Sequence, residues 1–269
     1  MRQAHQDMLT YAPNISWLFP ELPFREKLSE VARLHFAAIE FGFPSHADLG
    51  ALEEAVVEYG LKIVLFNQDV PVWDRANRGY LVDPARRDEF RRTLDEALQI
   101  ASRLSVMKIM LPVGVELEEM PRQRQRDCML ENLQYAASLA ADAGVLLTIE
   151  ALNPDDNPGY FLTTSLEGVE IVKTVNHPHV RFQFDTYHIQ RVGGDVVQKL
   201  VEYSAWIGHI QFADYPGRHE PGTGEIDFAS ILSTLEADGS QQYIGLEYMP
   251  LAQGTETLNW VPQGMRAPS

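Results

Sequence analysis

Four residues carry the strongest chemical signal in this chain: Glu150, Asp185, Gln211 and Glu247. Glu150 ends the apolar run Val145–Glu150 (VLLTIE), and Asp185 ends Val180–Asp185 (VRFQFD). Gln211 lies late in Trp206–Ala213, and Glu247 ends Tyr243–Glu247 (YIGLE). Short continuous apolar runs suit strands buried on both faces. A carboxylate at the C-terminal end of such a strand points into poorly solvated space and needs a counter-charge. Three carboxylates and an amide oxygen converging there would repel one another unless a cation lies among them. An oxygen-only donor set suits a hard ion, Mg²⁺ or Mn²⁺. Cys128 is the only cysteine, which leaves no thiolate zinc site and no disulfide framework. Taken singly, each acid also reads as a helix N-cap or a rim residue. Glu40, which ends Ala37–Phe41 (AAIEF), could join the site or form a satisfied buried pair.

These residues need elements to position them. Asn14–Phe19 (NISWLF) reads as a first strand, Ala37–Phe41 as a second, Leu61–Phe66 as a third and Met107–Leu111 as a fourth, with the four runs above as strands five to eight. Between them the apolar spacing turns helical: Glu21–His35, Ala47–Tyr59 closed by Gly60, Pro84–Leu104, Pro121–Ala143 closed by Gly144, Thr164–Asn176, Asp195–Tyr203 and Phe228–Ala237. Eight strands alternating with helices predict one all-parallel (β/α)₈ barrel, a TIM barrel, over residues 1–269. Residues 1–12 read as a flexible N-terminal extension. About twenty residues, rich in Pro and Gly, follow strand eight, so the last helix should be short or missing. An open doubly wound sheet is the competing architecture, and no GxGxxG or P-loop motif supports it.

Composition narrows the function classes. Lys and Arg total 22 against 38 Asp and Glu, a net charge of −16. Phosphate backbones are bound by clustered Lys and Arg. The densest such cluster, Arg122, Arg124 and Arg126, reads as a solvated helix face. Nucleic acid is therefore not an expected partner. No run approaches the ~20 apolar residues of a membrane helix, and Met1–Tyr11 lacks the apolar core of a signal peptide. The expectation is a cytoplasmic enzyme with a small-molecule substrate, open to self-association as a homo-oligomer.

The stretches NISWLFPELPF (14–24), IEALNPDDNPGYFLTT (149–164), FQFDTYHIQ (182–190), GHIQFADYPGRHEPGTGEID (208–227) and GLEYMP (245–250) resemble hydroxypyruvate isomerase, within the xylose-isomerase-like barrels. The resemblance spans nearly the whole chain. It implies a TIM barrel with one divalent metal ion that interconverts hydroxypyruvate and tartronate semialdehyde through a cis-enediol. It places the metal on Glu150, Asp185, Gln211 and Glu247, with Glu150 and Glu247 as the acid/base pair. The N-terminal extension to Thr10 looks longer than the family pattern, the C-terminus after Asn259 shorter, and the loop Asp69–Tyr80 less familiar.

Other residues suit supporting roles. His188, three residues beyond Asp185, could hydrogen-bond a substrate oxygen or serve only in the rim. Arg218 is the first candidate partner for a substrate carboxylate, against a salt bridge to Glu220 or Glu225, and Arg78 is the second. Asp156 could contact a substrate hydroxyl or belong to a turn. Trp17 and Phe66 would line the mouth, while His177 and His179 around Pro178 read as a surface turn. Alternatives in function are an isomerase or epimerase of another small sugar or 2-oxo acid sugar, such as a four-carbon 2-oxo-tetronate, a DNA-repair endonuclease, and a non-catalytic metal- or sugar-binding barrel.

Overall fold

A computed structural model of the chain describes residues 9–267, apart from 45, 47, 72, 239–241 and 252–253. Eight strands form one parallel sheet: β1 (Leu9–Pro13), β2 (Ala38–Phe41), β3 (Lys62–Asn67), β4 (Lys108–Met110), β5 (Leu146–Glu150), β6 (Val180–Asp185), β7 (Ile207–Phe212) and β8 (Gln242–Leu246). Their order is β1-β8-β7-β6-β5-β4-β3-β2, and a parallel bridge from Asn14 to Glu40 joins the two ends into a barrel. That order excludes the doubly wound alternative. The helices are α1 (Phe24–Arg33), α2 (Leu49–Tyr59), α3 (Arg87–Leu104), α4 (Arg122–Ala143), α5 (Ser165–Val175), α6 (Thr186–Gly193), α7 (Val196–Tyr203) and α8 (Phe228–Asp238).

Local chemistry sets the helix ends. Gly60 and Gly144 take the left-handed conformation after α2 and α4, and the Thr164 hydroxyl accepts from the Glu167 N–H at the start of α5. After β8 the described residues hold only short 3₁₀ turns, Gly254–Leu258 and Gln263–Met265, as the Pro-rich tail implied. None of the described helices is long and apolar enough to cross a membrane.

Two elements differ from the sequence reading. The first strand is Leu9–Pro13, not Asn14–Phe19, so residues 9–12 of the expected extension are buried barrel wall; residues 1–8 lie outside those described. The apolar run NISWLF fails as a strand because Asn14 starts a turn. Its carbonyl accepts from the Trp17 and Leu18 N–H groups, and its side-chain oxygen accepts from Ser16 N. The second difference is α6, which follows β6 without a loop. Asp185 is its N-cap, with Oδ1 accepting from Tyr187 N at 2.8 Å and His188 N at 3.3 Å. One residue thus ends a strand, starts a helix and faces the mouth.

Register decides what meets inside. Glu150 lies opposite Gln183, Asp185 opposite Gln211, and Gln211 opposite Gly245. Side chains two apart on a strand share a face, so Thr148 with Glu150, Gln183 with Asp185, and His209 with Gln211 form stacked polar layers in the barrel. Apolar side chains such as Ile149, Phe182, Phe184, Ile210 and Phe212 are buried among the surrounding elements.

Candidate active site

Glu150, Asp185 and Glu247 converge at the C-terminal mouth with one cation among them. Nη2 of Arg218 donates to Glu247 Oε1 at 2.8 Å and Asp185 Oδ2 at 3.3 Å. Its guanidinium lies over Trp17 at 4.4 Å and near the Tyr187 ring at 5.4 Å. One arginine against three acids leaves the cluster negative. Burial, reinforced by Asp185 and Glu247, pushes the Glu150 carboxyl well above its usual range. Burial also pushes Glu247 up to about 8, although Arg218 opposes the shift. Asp185 is raised by burial while Arg218 and two backbone N–H groups hold it down.

Glu150 Oε2 accepts from Gln183 Nε2 at 3.0 Å, while Glu150 Oε1 is buried with no hydrogen-bond partner. A buried carboxylate oxygen without a partner leaves its desolvation penalty uncompensated. The donor set therefore fits a hard divalent ion, which would ligate that oxygen and offset the excess charge. Glu150, Asp185 and His188 each offer a ligand atom, and the three atoms lie within 4.8 Å of one another.

The histidine's tautomer argues for a different part. His188 Nδ1 accepts from the Asn153 backbone N–H at 3.1 Å and faces Asn153 Nδ2 at 2.8 Å. The proton of the neutral ring is then on Nε2, which points at Glu150 Oε1 and Asp185 Oδ2, 3.9 Å from each. Burial and the nearby Arg218 and Arg191 keep the ring neutral. Ligation through Nε2 would require the proton on Nδ1, against the Asn153 N–H. His188 is built to donate into the site.

The loop after β7 brings in Arg218. Asp214 organises it, with Oδ2 accepting from Gly222 N and Gly224 N at 2.8 Å each and Oδ1 accepting from Ile226 N at 3.1 Å. Arg218 adopts a left-handed backbone (φ 59°), and its carbonyl accepts from Met249 N at 2.7 Å. The alternative of a salt bridge from Arg218 to Glu220 or Glu225 gives way to Asp185 and Glu247; Glu220 Oε1 instead accepts from Leu251 N and the Thr257 hydroxyl.

The remaining candidates are distributed unevenly. Arg78 is buried, donates to Asn157 Oδ1 and the Asp74 carbonyl, and packs on Trp73. Its loop is fastened by the bridge Gly79–Val113. Gly79 is required there, because a Cβ would meet the Pro112 carbonyl oxygen at 2.0 Å. Asp156 sits in a turn and accepts from Asn153 Nδ2 at 3.0 Å and the Tyr187 hydroxyl at 2.7 Å. Phe66 is buried against Phe41. His177 and His179 form a turn between α5 and β6 at the far end of the barrel, where His177 Nδ1 accepts from His179 N. At the start of α4, Arg122 pairs with Glu116 and Glu167 on the surface. Sequence reasoning missed Gln183, His209, Lys108, Asn14, Asn153 and Asp214. The polar residue two positions before Asp185 and before Gln211 was the available signal for Gln183 and His209.

This geometry defines a (β/α)₈ barrel enzyme with an acidic, oxygen-rich mouth. Residues 28–263 match the family model described as xylose isomerase-like TIM barrel, and the chain belongs to that family. It is 37% identical to 2-oxo-tetronate isomerase of Cupriavidus necator, over 94% of this chain and 98% of that one. It is 32% identical to hydroxypyruvate isomerase of Escherichia coli K12, again over 94% and 98%. A crystal structure described as an AP endonuclease, family 2, from Brucella melitensis superposes with a TM-score of 0.89 at 34% identity, covering 93% of this chain and 97% of that chain. With full-length isomerase relatives at this identity, the chain is an isomerase.

Proposed function

We propose that the enzyme is a metal-dependent aldose–ketose isomerase of a small hydroxy-oxo acid, interconverting hydroxypyruvate and tartronate semialdehyde. The observation that carries this reading is the unpartnered Glu150 Oε1 inside a three-carboxylate cluster. Glu150, Asp185, Glu247 and the Gln211 amide oxygen would hold one Mg²⁺ or Mn²⁺. Bound there, the ion supplies Lewis-acid polarisation of a substrate carbonyl. The protein supplies the proton transfers. A glutamate takes the proton from the hydroxyl-bearing C3, and the electron pair shifts to give a cis-enediol. C2 then receives a proton while the C3 hydroxyl gives one up to become the aldehyde. Glu150 and Glu247, on β5 and just past β8, bracket that plane. His188 Nε2–H donates to a substrate oxygen, and the Arg218 guanidinium, flanked by Trp17 and Tyr187, pairs with the substrate carboxylate.

A second reading, isomerisation of a 2-oxo-tetronate, is favoured by the 37% identity to the Cupriavidus enzyme. The chemistry is the same and the substrate one carbon longer. The endonuclease reading suggested by the Brucella protein lacks support in this chain, whose net charge is −16 and whose buried His209 is enclosed between Lys108 and Glu40. The deciding experiment is a panel of C3 to C6 hydroxy-oxo acids and ketoses, assayed with EDTA and with Mg²⁺ or Mn²⁺. Metal-restored turnover of hydroxypyruvate is expected. Turnover of the four-carbon acid alone would shift the substrate, and turnover indifferent to prolonged chelation would sink the metal role.

A further inference from the structure

Beneath the mouth lies a second polar set. Glu40 is fully buried, and His209 is 2% exposed. Lys108, at the start of β4, borders a cavity of about 700 Å³ at the N-terminal end of the barrel, which Lys62, His209 and Tyr243 also line. Lys108 Nζ lies 3.2 Å from His209 Nδ1. An ammonium only donates, so Nδ1 accepts and the ring proton sits on Nε2. That proton is donated to Glu40 Oε2 at 2.7 Å. Glu40 Oε1 accepts from Gln211 Nε2 at 2.7 Å and Asn14 Nδ2 at 3.1 Å. Every partner of Glu40 is a donor, which favours the carboxylate against the burial that opposes it.

A carboxylate facing the Gln211 amide admits only the NH₂ end. Gln211 Nε2 also donates to Glu247 Oε2 at 2.5 Å, and its carbonyl oxygen accepts from Gln183 Nε2 at 2.8 Å. Gln183 Nε2 is the group that also serves Glu150 Oε2, so the Gln211 oxygen lies on the Glu150 side. Gly245 bears on this independently. A Cβ there would meet Glu40 Oε2 at 2.2 Å and Cδ at 2.5 Å; β8 is glycine where the Glu40 carboxylate needs room.

We propose that Lys108, His209 and Glu40 form a buried positioning relay that sets the orientation of the Gln211 amide, so that Gln211 meets a divalent ion with its oxygen and not its nitrogen. The inference rests on Gln211 being a ligand, as proposed above. Glu40 acts through Gln211, and Lys108 acts through Glu40. Glu40→Gln replaces the carboxylate with an amide of equal size and lets Gln211 turn over.

The test is Mn²⁺ binding to the full-length protein, followed by calorimetry and by the Mn²⁺ paramagnetic spectrum. Loss of a group that orients a ligand costs roughly 10–100-fold in metal affinity, and that loss is expected for Glu40→Gln. Saturating Mn²⁺ should then restore most of kcat. Lys108→Met should weaken Mn²⁺ binding less, Lys108→Arg should restore it, and Lys108→Met should add nothing on the Glu40→Gln background. Mn²⁺ affinity unchanged in Glu40→Gln, or fully additive effects of the two substitutions, would overturn the relay. If Glu40→Gln does not fold, the Lys108→Met and Lys108→Arg pair decides alone, with unchanged affinity in Lys108→Met overturning it. Wild-type protein that binds no Mn²⁺ would instead overturn the metal reading on which this inference stands.

Discussion

Two carboxylates in one barrel live under opposite conditions. Glu40 is enclosed by Asn14, His209 and Gln211, each donating to it, with Lys108 supplying positive charge one residue further on. Glu150, one layer nearer the mouth, has a single donor on Oε2, nothing on Oε1 and two like charges beside it. Burial raises both, Glu40 to about 7 and Glu150 well above its usual range. In the lower layer the protein answers the charge itself. In the upper layer it leaves Glu150 Oε1 unanswered, where the proposed ion would bind. A fold that satisfies one acid and leaves its neighbour unsatisfied is storing destabilisation where function uses it.

The largest expected effect tests the upper layer. Glu150→Gln and Glu247→Gln should each lower turnover by about 10²–10⁴-fold, the range for losing a general acid or base. In chelated protein Glu150→Gln should not lower the melting temperature, because it removes a poorly compensated buried charge, whereas Glu247→Gln should lower it by weakening the contact with Arg218. Steady-state rates and thermal melts check both halves, and near-wild-type turnover in either variant would remove that glutamate from the proton transfers.

The same contrast predicts how stability follows pH. Glu150, Asp185 and Glu247 all have folded-state values above their ordinary ones, with Glu247 at about 8 against 4.5. Such groups bind protons more tightly in the folded state, so the stability they contribute is complete below the ordinary value and is lost as pH rises through the folded ones. Chelated protein should therefore melt at lower temperature at about pH 8.5 than at about pH 6. A divalent ion at 100 times its Kd should add about 2.7 kcal/mol and flatten that slope. A slope unchanged by the ion would mean that it does not reach these carboxylates.

Gly245→Ala breaks the lower layer from the strand side. Its Cβ would sit on the Glu40 carboxylate, and overpacking of this kind costs about 1–3 kcal/mol. Denaturant unfolding should show that loss, together with weaker Mn²⁺ binding. Loss of stability with Mn²⁺ affinity intact would separate the packing of Glu40 from its hold on Gln211.

How much of this was legible in the sequence follows from what each residue does. Glu150, Asp185, Gln211 and Glu247 could be read because each interrupts or ends an apolar run, and strand parity then puts them in one mouth. Seven of the strands overlap the apolar runs that predicted them, whereas β1 does not. Leu9–Pro13 contains Thr10 and ends in Pro13, so NISWLF looked the better strand, and only the turn made by Asn14 reveals otherwise. Helix α6 was missed although an N-cap was one reading of Asp185, because the helix is only eight residues long and follows the strand without a loop. Lys108, His209 and Glu40 were not legible as a set, since they come from β4, β7 and β2 and meet only after the barrel closes. The partnering of Arg218 with Asp185 and Glu247 likewise depends on the loop that Asp214 ties down.

The smallest expected effect concerns Asp156, which the sequence offered as a substrate contact. In the structure both partners of Oδ2 are protein groups: Asn153 Nδ2, which also faces His188 Nδ1, and the Tyr187 hydroxyl. Its influence on the site therefore runs through Asn153 to the tautomer of His188. Asp156→Asn keeps the shape, weakens two charge-assisted hydrogen bonds to neutral ones, and should cost about 1 kcal/mol of stability. Because the Asn153 backbone N–H still faces His188 Nδ1, the tautomer should survive, and turnover should fall by no more than roughly 5-fold, about 1 kcal/mol of barrel-mouth order. A KM raised tenfold with kcat intact would instead put Asp156 against the substrate and make the turn part of the upper layer.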